Sequence, residues 1–196
     1  MEYKEEPTNS SKYELFILIS EISAALWVHI IAFETTLREF ISEKLQKVYG
    51  VMEWWLINDL LSKKDLNDVN YAISRLDNRK LPVNNENITS NLSLSFWVEL
   101  LGRRYHETIW LKIISFFSSY PGRREDFYRK AGEIRNLRNV IAHHGPILRR
   151  DLFRDHAYLH ELTALLDPEL ANEVKRKSRV LDLLLNARLV GSGGGI

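Results

Sequence analysis

Over residues 12–48, apolar side chains return every three or four positions, at Leu15, Leu18, Ile19, Ile22, Leu26, Ile30, Phe33, Leu37, Phe40 and Ile41. That period lays one apolar stripe along an α-helix. The stretch predicts either one long helix or two broken near the middle, stopped at Tyr49-Gly50. A shorter amphipathic helix follows over residues 63–75, through Leu66, Val69, Tyr71 and Ile73. Residues 81–91, with Pro82, Asn84, Asn85 and Asn87, have the composition of a loop. Asn91 or Ser93 then caps a helix through Leu94, Trp97, Val98 and Leu101, which Gly102 halts. Helices are expected over residues 105–117, 124–144 and 147–166, with Tyr120-Pro121-Gly122 as a firm break. Asp167-Pro168 joins a side-chain cap to a proline in the first turn, and opens a last helix running to about residue 189. No stretch alternates with period two between hairpin turns, and no repeat of 20–50 residues is visible. The pattern predicts an all-α antiparallel bundle of six to eight helices in one domain, residues 12–190. A polar arm (1–11) precedes it, and a tail of linker composition (191–196) follows.

Composition narrows the chemistry. At 196 residues, 45% hydrophobic and 27% charged, the chain can bury a core without covalent staples. It has no cysteine, which excludes a disulfide framework, a thiol nucleophile and a cysteine-bound zinc. Glu21 and His29 interrupt the apolar run of residues 15–33, which reads as a buried core helix rather than an uncharged membrane span. The polar, acidic start shows no secretory signal, so a cytoplasmic location away from membranes is expected. The net charge of +1 hides an asymmetry: residues 1–100 carry ten Lys and Arg against fifteen Asp and Glu, and the remainder seventeen against eleven. The basic pairs Arg103-Arg104, Arg123-Arg124, Arg129-Lys130 and Arg149-Arg150 suit either an anionic ligand or a solvated surface.

The densest chemistry lies between Glu133 and Pro146, where two arginines, two asparagines and two adjacent histidines share about three helical turns. Ile134, Leu137, Val140 and Ile141 face a core, while Arg135, Asn139 and His143 step by four along another face with Arg138 at its edge. Gly145-Pro146 ends the helix, glycine supplying a left-handed cap. His143 and His144 then fall in its last turn, where carbonyl ends favour positive charge. His144 also continues the inward stripe, so it serves either as a second functional histidine or as a structural one. Trp54-Trp55 either covers an end of the bundle or stacks a base. His156 and His160, spaced by four beside Glu161, form at most half a metal site and read as surface residues. No nucleophile elbow, phosphate loop or dinucleotide fingerprint is present, and neither metal nor cofactor is expected.

Arg138-Asn139-Val140-Ile141-Ala142-His143 resembles the Arg-polar-x3-His signature of HEPN domains. The longer string from Arg135 to Pro146 is similar to the Abi-like (abortive-infection) branch, with its Arg-Asn-x-x-Ala-His-His. Leu94 to Tyr105 with Trp110 resembles that family's middle helix. Phe33-Glu34, Leu37-Arg38 and Trp54-Trp55-Leu56 resemble its first third, so the likeness covers roughly residues 13–165. The resemblance implies a helical, metal-independent endoribonuclease with a site shared across a homodimer, acting as an antiphage or toxin-type effector under a neutralising or activating partner. It assigns His143 to proton transfer and Arg138 to phosphate, with Asn139 orienting the ring or contacting phosphate. Arg135 would be a second anion contact. Glu34 either holds the fork of Arg135 or Arg138, or pairs with Arg38 on the surface. The alternative is a helical module that binds RNA, nucleotide or protein without cutting.

Overall fold

One helix, α1 (Asn9–Tyr49), carries the first apolar stripe through 41 residues without a break, a length of about 60 Å. The computed structural model describes residues 9–117, 120 and 122–193, with side-chain surroundings for 12–117, 120 and 122–188. The outer parts of the expected arm and tail, residues 1–8 and 194–196, lie outside the described residues. Ile22, Leu26, Ile30, Phe33, Leu37 and Ile41 form the buried face of α1. Burying each contributes about 1.5–3 kcal/mol, which is why the remaining helices gather around this one. By length and composition α1 is apolar enough to cross a membrane, where the sequence reads residues 15–33 as falling short. In the fold, one side of it is the centre of the bundle.

The other helices are α2 (Lys63–Asn78), α3 (Asn85–Asn91), α4 (Leu94–Glu99), the single turn α5 (Leu111–Ile113), α6 (Arg124–Ala142), α7 (Leu152–Leu166), α8 (Pro168–Lys177) and α9 (Val180–Gly193). Among the described residues there is no strand, and the fold is an all-α bundle. Helices α3, α4, α6, α7, α8 and α9 all pack on α1. Local caps start several of them. Ser62, Asn84, Ser93, Asp151 and Asp167 each accept a backbone N–H three residues on, satisfying donors that the first turn leaves unpaired. Trp54 and Trp55 are buried, and Trp54 Nε1 donates to Ser42 Oγ at 3.1 Å. They close an end of the bundle and present no face to a base. The Tyr105 hydroxyl donates to the buried Asp65 and accepts the Ser62 N–H at 2.9 Å, pinning the start of α2.

The structure departs from the sequence pattern at several places. The expected loop over residues 81–91 ends at Asn84, whose side chain caps α3, and Ile88 and Thr89 are buried. Its asparagines, which signal a loop, serve here as a cap at Asn84 and as half-buried partners: Asn85 Oδ1 accepts from Ser42 Oγ at 3.0 Å and Asn87 Nδ2 donates to Pro82 O at 2.7 Å. Over residues 103–116 a 3-10 turn (Arg103–Tyr105), a π turn (His106–Trp110), α5 and a second 3-10 turn (Ile114–Phe116) replace a regular helix. The irregular winding brings Trp110 and Phe117 onto Phe127, with ring centroids 5.8 and 5.6 Å away. The last helix is two. Ser178 adopts extended backbone between α8 and α9, and its Oγ accepts the Val180 N–H at 3.2 Å. Helix α9 continues to Gly193, past the position where composition places a tail. Gly132 meets nothing within 4 Å where a Cβ would stand, so no close approach inside the chain requires it.

Candidate functional site

Helix α6 places the Arg/His residues by an ordinary division of faces. Phe127, Ala131, Ile134 and Leu137 are fully buried at the expected spacing, which turns Arg135, Arg138 and Asn139 outward at their edges. Arg138 lies against α1. Its guanidinium sits 5.8 Å from the ring centroid of Trp27, and its Nε lies 3.9 Å from the Glu34 carboxylate. That Nε is buried and makes no hydrogen bond. Trp27 and Glu34 are seven positions apart, two turns along one edge of α1. Arg135 turns instead to α4, where its Nη1 donates to Glu99 Oε1 at 2.7 Å. Of the two arginines open to Glu34 in the sequence, Arg138 is the one it approaches, and the ion pair with Arg38 is not formed. Neither Glu99 nor Trp27 stood out in the sequence, although Glu99 is the one charged residue in the apolar α4.

The end of α6 is built differently from the sequence expectation. Helix α6 stops at Ala142, and His143 is the residue flanking it, with φ −102° and ψ 15°. Its N–H still donates to Asn139 O at 3.1 Å. His144, not Gly145, adopts the left-handed conformation, with φ 54°. The His144 N–H donates to Ile141 O at 3.1 Å, and the Gly145 N–H to Val140 O at 2.7 Å. These paired bonds are those of a Schellman cap, which reverses the chain and satisfies the last carbonyls. Gly145 is needed for space: a Cβ there would meet Val140 Cγ1 at 3.1 Å and Val140 O at 3.2 Å. Because the chain reverses at His144, the inward stripe does not extend to it. His144 is exposed rather than facing the core, and so are His143 and Asn139. Among the described residues the His143 and Asn139 side chains make no hydrogen bond or ion pair. The assembled group is therefore an outward surface of Arg138, Asn139 and His143, with Arg135 clamped by Glu99 one turn away.

Comparison of the chain with protein-family models, with curated proteins and with solved structures finds no match.

Much of the surrounding basic charge is already engaged. Arg124 is 5% exposed, donating to Leu101 O at 2.9 Å and to Glu125 at 2.6 Å, where the sequence allowed a solvated pair. Arg129 and Lys130 bind Asp126, and Lys130 also reaches Glu161. Arg150 bridges Glu133 and the fully buried Asp155. Arg103, Arg104, Arg123 and Arg149 are exposed and remain for an anionic ligand.

The other histidines form a separate cluster. His156 is buried rather than on the surface, because α7 packs it edge-on against His29 of α1, with ring centroids 4.6 Å apart. His29 Nε2 and Ser178 Oγ are within hydrogen-bond distance at 2.8 Å. Burial, then the neighbouring His156 and His160, lowers the His29 pKa to about 4. Burial likewise lowers His156 and His160, with Lys175 adding to both shifts. Among the described residues no group of three His, Asp or Glu side chains is placed to hold a metal ion.

Proposed function

We propose that the chain is a metal-independent endoribonuclease of the HEPN, Abi-like kind, with Arg138 and His143 at its chemical centre. The observation that carries this is that an exposed, unengaged His143 ends the same helix as Arg138, whose guanidinium lies over Trp27 and whose buried Nε makes no hydrogen bond. Arginine grips phosphate oxygens with a planar fork, and imidazole moves protons near neutral pH. His143 removes the 2′-hydroxyl proton of the RNA, and the resulting alkoxide attacks the adjacent phosphorus. The P–O5′ bond breaks, and a second imidazole protonates the departing oxygen, leaving a 2′,3′-cyclic phosphate and a 5′-hydroxyl. Arg138 stabilises the crowded phosphate. Each chain supplies one such His/Arg set, so the second imidazole comes from a second copy across a two-fold axis. The resemblance adds an antiphage or toxin-type role, a cytoplasmic setting and a controlling partner.

A second reading is a non-catalytic module that binds RNA, nucleotide or protein. It draws on the carboxylates already beside both arginines, Glu99 on Arg135 and Glu34 near Arg138. The deciding experiment is RNA cleavage in excess EDTA by wild type, Arg138→Ala and His143→Ala, with folding and oligomeric state measured for each. Cleavage by wild type that both folded variants lose supports the ribonuclease. A folded wild type that binds RNA without cutting it supports the second reading.

A further inference from the structure

The solvent face of α1 carries a second regular pattern. The exposed Glu21, Ala24, Val28 and Ile31 and the half-buried Thr35 and Arg38 step by three and four along it, the spacing of a two-helix seam. Val28 is 55% and Ile31 51% exposed, large apolar side chains at the middle of the one described helix that is long and apolar enough to cross a membrane. Glu21 and Arg38 place opposite charges about 25 Å apart on the stripe, which runs on toward the N-terminus through the exposed Ile17. Among the described residues neither makes an ion pair or a hydrogen bond. Too far apart to meet within one helix, they are placed to meet across two.

We propose that a second copy of this chain packs antiparallel on this face of α1. In one register Val28 lies opposite the second copy's Ile31, Ala24 opposite Thr35, and Glu21 opposite Arg38. Every contact then occurs twice about a two-fold axis, as a self-complementary interface requires. Ala24 and Thr35 keep the helices close, while Val28 and Ile31 bury the apolar centre. A groove of about 360 Å³ between α1 and α8–α9, walled partly by Ala24, Val28 and Leu183, borders the stripe and leaves room for the facing Ile31.

The register also bears on the functional reading, on which this one consequence rests. Trp27 and Glu34, which flank Arg138, lie along a single edge of the stripe and bracket its midpoint. A two-fold axis perpendicular to the paired helices keeps that edge on the same side in both copies. The two Arg138 surfaces then stand beside each other near the axis, as a composite site needs.

The test is the mass of the purified chain by light scattering and sedimentation over a range of concentrations, read without reference to cleavage. Wild type is expected to be a dimer. Val28→Glu and Ile31→Glu should be monomers with unchanged helical circular dichroism. Glu21→Arg and Arg38→Glu should each weaken the dimer by about tenfold or more, because two attractive pairs become two repulsive ones. The doubly reversed chain should recover the wild-type association. A monomeric wild type, a dimer indifferent to Val28→Glu, or a double reversal no better than the singles would overturn the proposal. So would a monomer that floats with phosphatidylglycerol vesicles, which would give the stripe to a lipid surface. A confirmed dimer that cuts no RNA would leave the seam standing and remove only the catalytic reading.

Discussion

Arg138 stands over Trp27, its guanidinium 5.8 Å from the ring centroid, while its buried Nε lies 3.9 Å from the Glu34 carboxylate. The ring fixes the plane of the fork, and the glutamate sits too far away to saturate it. Lysine at this position would keep the charge and lose both the plane and the fork. Arg138→Lys is therefore expected to lower RNA cleavage by at least about 100-fold with little change in Tm. Single-turnover cleavage and a thermal melt check it, and near-normal cleavage would remove Arg138 from phosphate recognition.

Glu99 holds Arg135 at 2.7 Å, so a phosphate that uses Arg135 must first displace a carboxylate. In Glu99→Gln the arginine is released. RNA binding should strengthen by a few fold, and the plot of log affinity against log salt should steepen by about 0.7, one further phosphate contact on a single strand. Binding isotherms at several salt concentrations measure this. An unchanged slope would show that Arg135 meets no phosphate and that its pair with Glu99 only ties α6 to α4.

The parts of the fold that depend on near neighbours were legible in the sequence. The stripes of α1 and α6, the Ser93 and Asp167 caps and the break at Tyr120 follow from spacing and local hydrogen bonding. What escaped depends on partners far along the chain. Glu99 meets Arg135 from 36 residues away, and His29 meets Ser178 from 149. Ser178 is a cap-type residue, but between Lys177 and Arg179, with no glycine or proline beside it, it does not read as a break. At the site, the sequence leaves Glu34 open to Arg135, Arg138 or Arg38, and the fold brings it toward Arg138. The cap was misplaced because glycine is the usual left-handed residue, whereas here it is Gly145 that lets the chain lie close on Val140.

His144 holds φ 54° without the freedom of glycine. A left-handed residue with a Cβ is strained by roughly 1 kcal/mol. His144→Gly should therefore raise Tm by about 2–4 °C for a chain of this size. Cleavage should persist, because the proton carrier is assigned to His143. Calorimetry and the cleavage assay on the same sample separate the two roles. A stabilised protein that no longer cuts would move the proton transfer to His144.

The buried cluster of His29, His156 and His160 makes stability depend on acid. His29 titrates near the ordinary 6.5 when the chain is unfolded and at about 4 when folded. Between those values the unfolded chain holds a proton that the folded chain lacks. Stability from this group is thus fully present above about pH 6.5 and falls as the pH drops toward 4. His156 Nε2 and His160 Nδ1 are buried without a partner, and Lys175 opposes added positive charge, so their lowered pKa values act in the same direction. His29→Gln keeps a polar group near Ser178 and removes the titration. Wild type should lose about 2 kcal/mol more than His29→Gln between pH 7 and pH 5. Urea denaturation of both proteins at each pH reads the difference directly, with the carboxylates common to both cancelling. Equal losses in the two proteins would mean that His29 accepts its proton in the folded state, and that the cluster opens to water before the bundle unfolds.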